Sequence, residues 1–157
     1  MISYRVLTSD EFDVIRPLWE RLNQYHAALP SPFAPEIASR TFETRLKALR
    51  HKAGSGSLRI EIASPAMDQP PIGYCITSLS PDGVGEVDSL YVDQANRRLG
   101  IASTLMRSAL EWLRGSGAIS ERVVVLCEND EAVAFYRRFG FHPRNIELER
   151  RSKAGSE

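Results

Sequence analysis

The residues whose types and spacing could do chemistry lie between Asp93 and Ser103, where the chain reads Asp-Gln-Ala-Asn-Arg-Arg-Leu-Gly-Ile-Ala-Ser. Arg97 and Arg98 bring two full positive charges beside Gly100. A helical pattern starts directly after it, with Ile101, Leu105, Ala109 and Trp112 recurring at spacings of three and four. The first turn of a helix leaves backbone N–H groups without intrahelical partners, and the helix dipole adds partial positive charge at the same end. Gly100 and the small Ala102 let an anion come close to that backbone. The run Arg97, Arg98, Leu99, Gly100, Ile101, Ala102, Ser103 is therefore a candidate cradle for a phosphate group. No Gly-Lys-Ser/Thr ends it, so it is not a Walker A loop, and the three-glycine dinucleotide spacing is missing. Taken alone, such a run is also an ordinary turn beside solvated arginines.

The element that presents the loop reads as a strand from Glu86 to Val92. Alternation places Val87, Ser89 and Tyr91 on one face, and Glu86, Asp88, Leu90 and Val92 on the other. Two carboxylates, Glu86 and Asp88, thus project from one strand face.

A second signal lies downstream. Arg97-x-x-Gly100-x-Ala102, following Leu90-Tyr91-Val92, resembles the acyl-CoA pyrophosphate loop of the GNAT superfamily of N-acetyltransferases. The run from Asn129 through Ala132, Phe135 and Tyr136 to Gly140 and Phe141 is similar to that family's "N…A…FY…GF" segment, in the right order and at about the right distance. The clear resemblance covers Gly73 to Phe141.

The resemblance implies a function. Acetyl-CoA is the expected co-substrate, with its pyrophosphate on the loop and its pantetheine arm along Leu90, Tyr91 and Val92 as an added strand. The N–H at the position of Leu90 is expected to face the acyl carbonyl. Asn129 is expected on the arm, and Tyr136 at the leaving thiolate as general acid. The acceptor is expected to be a primary amine, on a small molecule or on a protein N-terminus or lysine. An amine of lysine type is neutral in only about one molecule in 2,500 at pH 7, so deprotonating it costs about 4.6 kcal/mol. Glu86 or Asp88 is the candidate base, with Glu86 ranked slightly first. The alternative is a non-catalytic acyl-CoA-binding domain on the same fold, and a homodimer is compatible with either.

Composition narrows the classes. With 157 residues, 43% hydrophobic and 25% charged, the chain suits one soluble domain, 1–157, with a frayed tail over 152–157. A formal net charge of zero argues against broad nucleic-acid binding. His26, His51 and His142 are scattered, so no metal site is expected. Cys75 and Cys127 each sit in an apolar run and are expected to be buried and reduced. The chain shows no signal-peptide pattern and no apolar run of membrane-spanning length, which implies a cytoplasmic protein without membrane contact.

The elements that must position these residues follow from pattern. Strands are expected at Ile2–Leu7, Leu58–Ala63, Ile72–Leu79, Glu86–Val92, Arg122–Cys127 and Asn145–Arg150. Thr8 with Glu11 forms a capping box that starts a helix, which Pro17 should kink or divide. A second helix is expected from Glu36 to Lys52, a third from Gly100 to Arg114, and a fourth from Asn129 to Arg138. The order implies a mixed α/β fold, with a mostly antiparallel central sheet flanked by helices. By the resemblance, the strands at Glu86–Val92 and Arg122–Cys127 splay into a wedge for the cofactor arm.

Overall fold

Alternating apolar residues make the strands, and the connections decide their order. In the computed structural model, which describes residues 1–151, β1 (Ser3–Val6), β2 (Ser57–Ser64), β3 (Gly73–Leu79), β4 (Val84–Val92) and β5 (Ser120–Val123) form one sheet in the order β1-β2-β3-β4-β5. Neighbours from β1 to β4 pair antiparallel, and β5 joins β4 in parallel. Loops join β2 to β3 and β3 to β4, the helices α1 to α3 lie between β1 and β2, and a helical crossover through α4 produces the parallel pair. The tail over 152–157 lies outside the described residues.

Helices cover both faces. On one side α1 (Arg16–Ala27) and α3 (Phe42–Ser55), joined through the short α2 (Ala34–Ala38), bury Leu18, Trp19, Phe42 and Leu49 against Ile60, Ile62, Tyr74, Ile76 and Tyr91. On the other side α4 (Ile101–Gly115) and α5 (Asp130–Arg137) bury Ile101, Leu105, Met106, Ala109 and Tyr136 against Ala63, Cys75, Val87 and Val92. This is the mixed α/β architecture expected. Among the described residues no helix is long and apolar enough to cross a membrane.

Several boundaries differ from the sequence pattern. The capping box forms, with the Thr8 N–H donating to Glu11 Oε2 at 2.8 Å, but the turn it opens, Ser9–Ile15, is a 3-10 helix. A new helix, α1, starts at Arg16, with Pro17 in its first turn, where a missing N–H costs nothing. The helix expected from Glu36 to Lys52 is divided. Thr41 caps α3 by accepting the Thr44 N–H at 3.3 Å, so residues 39–41 leave helical geometry. The strand expected over Arg122–Cys127 starts earlier and stops at Val123. Beyond it the chain turns away from β4, leaving Val124 exposed. The expected strand Asn145–Arg150 does not join the sheet, and Ile146 and Leu148 stand exposed.

Two irregularities of β4 shape everything that follows. Ile76 pairs with Ser89, but the next residue of β3, Thr77, pairs with Val87, so Asp88 is an extra residue in the strand. The expected alternation therefore breaks there. Val87 packs with Leu90 and Val92 on the α4 face, while Tyr91 packs on the α1 face. Second, β5 pairs with β4 only from Val84 to Val87. The rest of that edge, Asp88 to Val92, has no strand beside it. This is the expected splay.

Leu105 is fully buried between α4 and the sheet. Leu105→Ala should cost about 2–5 kcal/mol in chemical denaturation, as cavity-forming core truncations do.

Candidate active site

Where β5 leaves β4, a groove of about 540 Å³ opens between β4, the start of α4 and α5. It gathers Leu90, Tyr91, Val92, Arg97, Arg98, Gly100, Ile101, Ala102, Ser103, Asn129 and Tyr136 along one path, with Leu22 and Tyr25 of α1 at its side. Of the loop residues singled out in the sequence, Leu99 alone stays off this surface, 65% exposed.

The loop geometry gathers unpartnered donors at the start of α4. Gly100 precedes α4 at φ +75°, and Arg98 also has a positive φ of +66°. These turns present the N–H groups of residues 98–103, none of which has a backbone partner among the described residues. The first to find one is Thr104, on the Gly100 carbonyl at 3.0 Å. A Cβ at Gly100 meets nothing within 4 Å, so glycine is required by the left-handed backbone and by access, not by crowding. Arg97 donates through Nε to the Val92 carbonyl at 3.3 Å, and its guanidinium stands 6.0 Å from the rings of Tyr25 and Tyr91. It is thus held at the groove wall.

Asn129 caps α5, its Oδ1 accepting the Ala132 N–H at 3.2 Å. Its amide NH2 makes no hydrogen bond among the described residues and borders the groove. Tyr136 is 9% exposed and packs edge-on against Phe135 and Phe141. Its hydroxyl makes no hydrogen bond within the described chain. Burial pushes its pKa above the ordinary tyrosine value, with the nearby Cys75 and Tyr74 adding to the effect.

The two carboxylates lie elsewhere. The bulge turns Glu86 and Asp88 toward α3, where Lys52 Nζ donates to Glu86 Oε2 at 2.7 Å and also to Asp88 Oδ1. Arg45, about two turns earlier on α3, donates to the Asp88 carbonyl at 3.0 Å. Arg122 of β5 stands 3.7 Å from Glu86 Oε2. Burial pulls the Lys52 pKa down, but the hydrogen bonds to Asp88 and Glu86 outweigh it and hold the amine above its ordinary value, as an ammonium. The Asp88 side chain is only 2% exposed. Glu86 lines a second cavity of about 270 Å³ together with Lys52, Ser78, Ser80 and Arg122. Neither Arg45 nor Lys52 stands out in the sequence, although both share a helical face with the buried Leu49.

The cysteines divide. Cys75 is buried and its thiol is pushed up to about 12 by burial, which leaves it unreactive. Cys127, expected to be buried, is exposed, because β5 ends before reaching it. Among the described residues no group of three or more His, Cys, Asp or Glu side chains is placed to hold a metal ion.

The sequence profile of the Acetyltransferase (GNAT) family matches residues 19–141. The chain belongs to the GNAT family. It is 28% identical over 82 residues to an uncharacterized N-acetyltransferase of Methanocaldococcus jannaschii, a match covering 48% of this chain and 36% of that protein. The chain thus aligns with about a third of that relative's length. An acetyltransferase of Trypanosoma brucei superposes with a TM-score of 0.65 at 18% identity, over 95% of this chain and 99% of that one. The aminoglycoside N-acetyltransferase AAC(6')-Iy, solved with CoA, superposes with a TM-score of 0.63 at 16% identity, over 97% and 100% of the two chains. These likenesses establish the GNAT fold.

The buried setting of Tyr136 is directly measurable. In a spectrophotometric titration, the difference between the wild-type GNAT chain and a Tyr136→Phe variant should show a phenol that ionises above the free value of about 10.

Proposed function

We propose that the protein transfers an acetyl group from acetyl-CoA to a primary amine by direct attack in a ternary complex. The observation that carries this is the groove itself, where the unpaired edge of β4 runs into a cluster of unpaired N–H groups at residues 98–103. Family membership supports it, and so does the superposition on an enzyme solved with CoA.

Acetyl-CoA supplies an activated thioester, and the chain supplies the rest. The N–H groups of residues 98–103, with Arg97 and Arg98, hold the pyrophosphate. The free edge of Leu90, Tyr91 and Val92 hydrogen-bonds the pantetheine amides as a neighbouring strand does, aided by the Asn129 amide. The Leu90 N–H stabilises charge on the acyl oxygen. Glu86 removes the proton from the acceptor ammonium, directly or through water, because it reaches a cavity while Asp88 lies buried behind Lys52. Tyr136 donates a hydrogen bond to the departing sulfur.

A second reading is a non-catalytic acyl-CoA-binding domain. It is favoured by one observation: both carboxylates are already bound to Lys52. Incubation with acetyl-CoA and a panel of primary amines, with free thiol detected, separates the two. Transfer predicts amine-dependent thiol release, and the binding domain predicts CoA affinity with none.

Gly100→Val should abolish CoA binding in calorimetry while the protein stays folded. Unchanged affinity in the folded variant would show that the loop is not the cradle. Tyr136→Phe should lower kcat by about a hundred- to a thousand-fold, the range for one lost transition-state donor, and leave CoA affinity nearly unchanged.

A further inference from the structure

We propose that Lys52 is a movable counter-ion, a positioning residue that passes from Glu86 wholly to Asp88 when the acceptor ammonium arrives. The inference rests on the acetyl-transfer reading and deepens it. One ammonium is shared between two carboxylates on different sides of it, Glu86 Oε2 at 2.7 Å and Asp88 Oδ1. The second oxygen of Asp88, Oδ2, is buried and has no hydrogen-bond partner among the described residues. A carboxylate oxygen stranded in this way is costly in a folded protein and calls for a donor. Lys52 has three donors on a flexible stem and uses two. A rotation about that stem moves a donor from Glu86 to Asp88 Oδ2, which satisfies the stranded oxygen and frees Glu86.

The surroundings suit that movement. Lys52 is 38% exposed at its side chain, while Asp88 is 2% exposed, so the lysine can swing and the aspartate cannot. Asp88 is fixed further by Arg45 on its carbonyl. Arg122 approaches Glu86 only at 3.7 Å and makes no hydrogen bond to it, so it does not replace Lys52 there. Asp82, on the hairpin that closes the same cavity, is bound to Ser80. In the resting site the ammonium of Lys52 therefore stands where the acceptor's ammonium must sit to give up its proton. Exchange of one ammonium for another keeps the charge balance of the site. It also matches the site to a single positive charge at the reacting end of the acceptor.

Ethylammonium chloride is the probe, titrated into the CoA-bound protein and followed by the Glu86 13Cδ and Lys52 15Nζ resonances. In the wild type, binding should move both. Asp88→Asn takes away the charged destination, so Lys52 stays on Glu86 and ethylammonium should bind about ten-fold more weakly. The double variant Lys52→Met with Asp88→Asn removes both partners and should bind it more tightly than the wild type. Opposite signs in the two variants distinguish a movable counter-ion from a fixed structural clamp. Equal affinities, changes of the same sign, or a Lys52 resonance that does not move when Glu86 does would each overturn the proposal. So would the absence of a Glu86 shift in all three proteins. Should the double variant not fold, Asp88→Asn and the wild-type Lys52 resonance decide. Absence of CoA binding in the wild type overturns the acetyl-transfer reading instead, and is seen independently of the titration.

Discussion

The extra residue at Asp88 is the constraint on which the site depends. A regular strand would place Glu86, Asp88, Leu90 and Val92 on one face, so the carboxylates would share a surface with the residues that pack on α4. The bulge divides them. Leu90 and Val92 stay on the α4 side, and Glu86 and Asp88 turn to α3. One strand can then serve two compartments, a groove along its edge and a charged cavity on its other side. The bulge is held from α3 and from the neighbouring strand β3. Arg45 binds the Asp88 carbonyl, Lys52 binds its carboxylate, and the Tyr74 hydroxyl meets Ser89 Oγ at 2.8 Å.

The short pairing of β4 with β5 is the second half of the same design. Four residue pairs tie the strands together before they part. Gly85 sits in that tie with Leu113 so near that a Cβ would approach it at 2.8 Å, which keeps α4 pressed on the joined end. The other end of α4 begins just after Gly100, which lines the groove. The helix thus closes the wedge at one end and offers its unpaired N–H groups at the other.

Much of this was legible in the chain. The loop at Arg97–Ser103, the strand before it and the segment from Asn129 to Phe141 are local patterns, and local geometry follows from local sequence. The parallel crossover followed from the strand–helix–strand order. What could not be read was set by tertiary contact. Nothing in Glu-Val-Asp-Ser-Leu announces a bulge, because the donors that hold it, Arg45 and Lys52, lie about 40 residues away. The apolar run Val123–Cys127 read as a buried strand. Apolar content alone does not tell a buried strand from one that has left its neighbour. Ile146 and Leu148 alternate like a strand but find no edge to join.

In the proposed reaction, the position of Tyr136 bears on how the leaving group departs. A thiol ionises near 8.5 and a free tyrosine near 10, so full proton transfer from tyrosine to thiolate is uphill by about 2 kcal/mol before any effect of the fold. Burial raises Tyr136 further, which makes that transfer harder still. The same burial suits a different task. A phenol that stays protonated at all working pH values is a permanent donor, fixed between Phe135 and Phe141 with its hydroxyl free of partners among the described residues. Such a donor lowers the energy of developing charge on sulfur without taking part in proton exchange. In the proposed reaction the protons that must move are then both the acceptor's, one lost from the ammonium before attack and one lost from nitrogen as the C–S bond breaks. There Glu86, on the α3 side of β4, takes the first and the departing thiolate takes the second, so β4 stands between the proposed base and the leaving group.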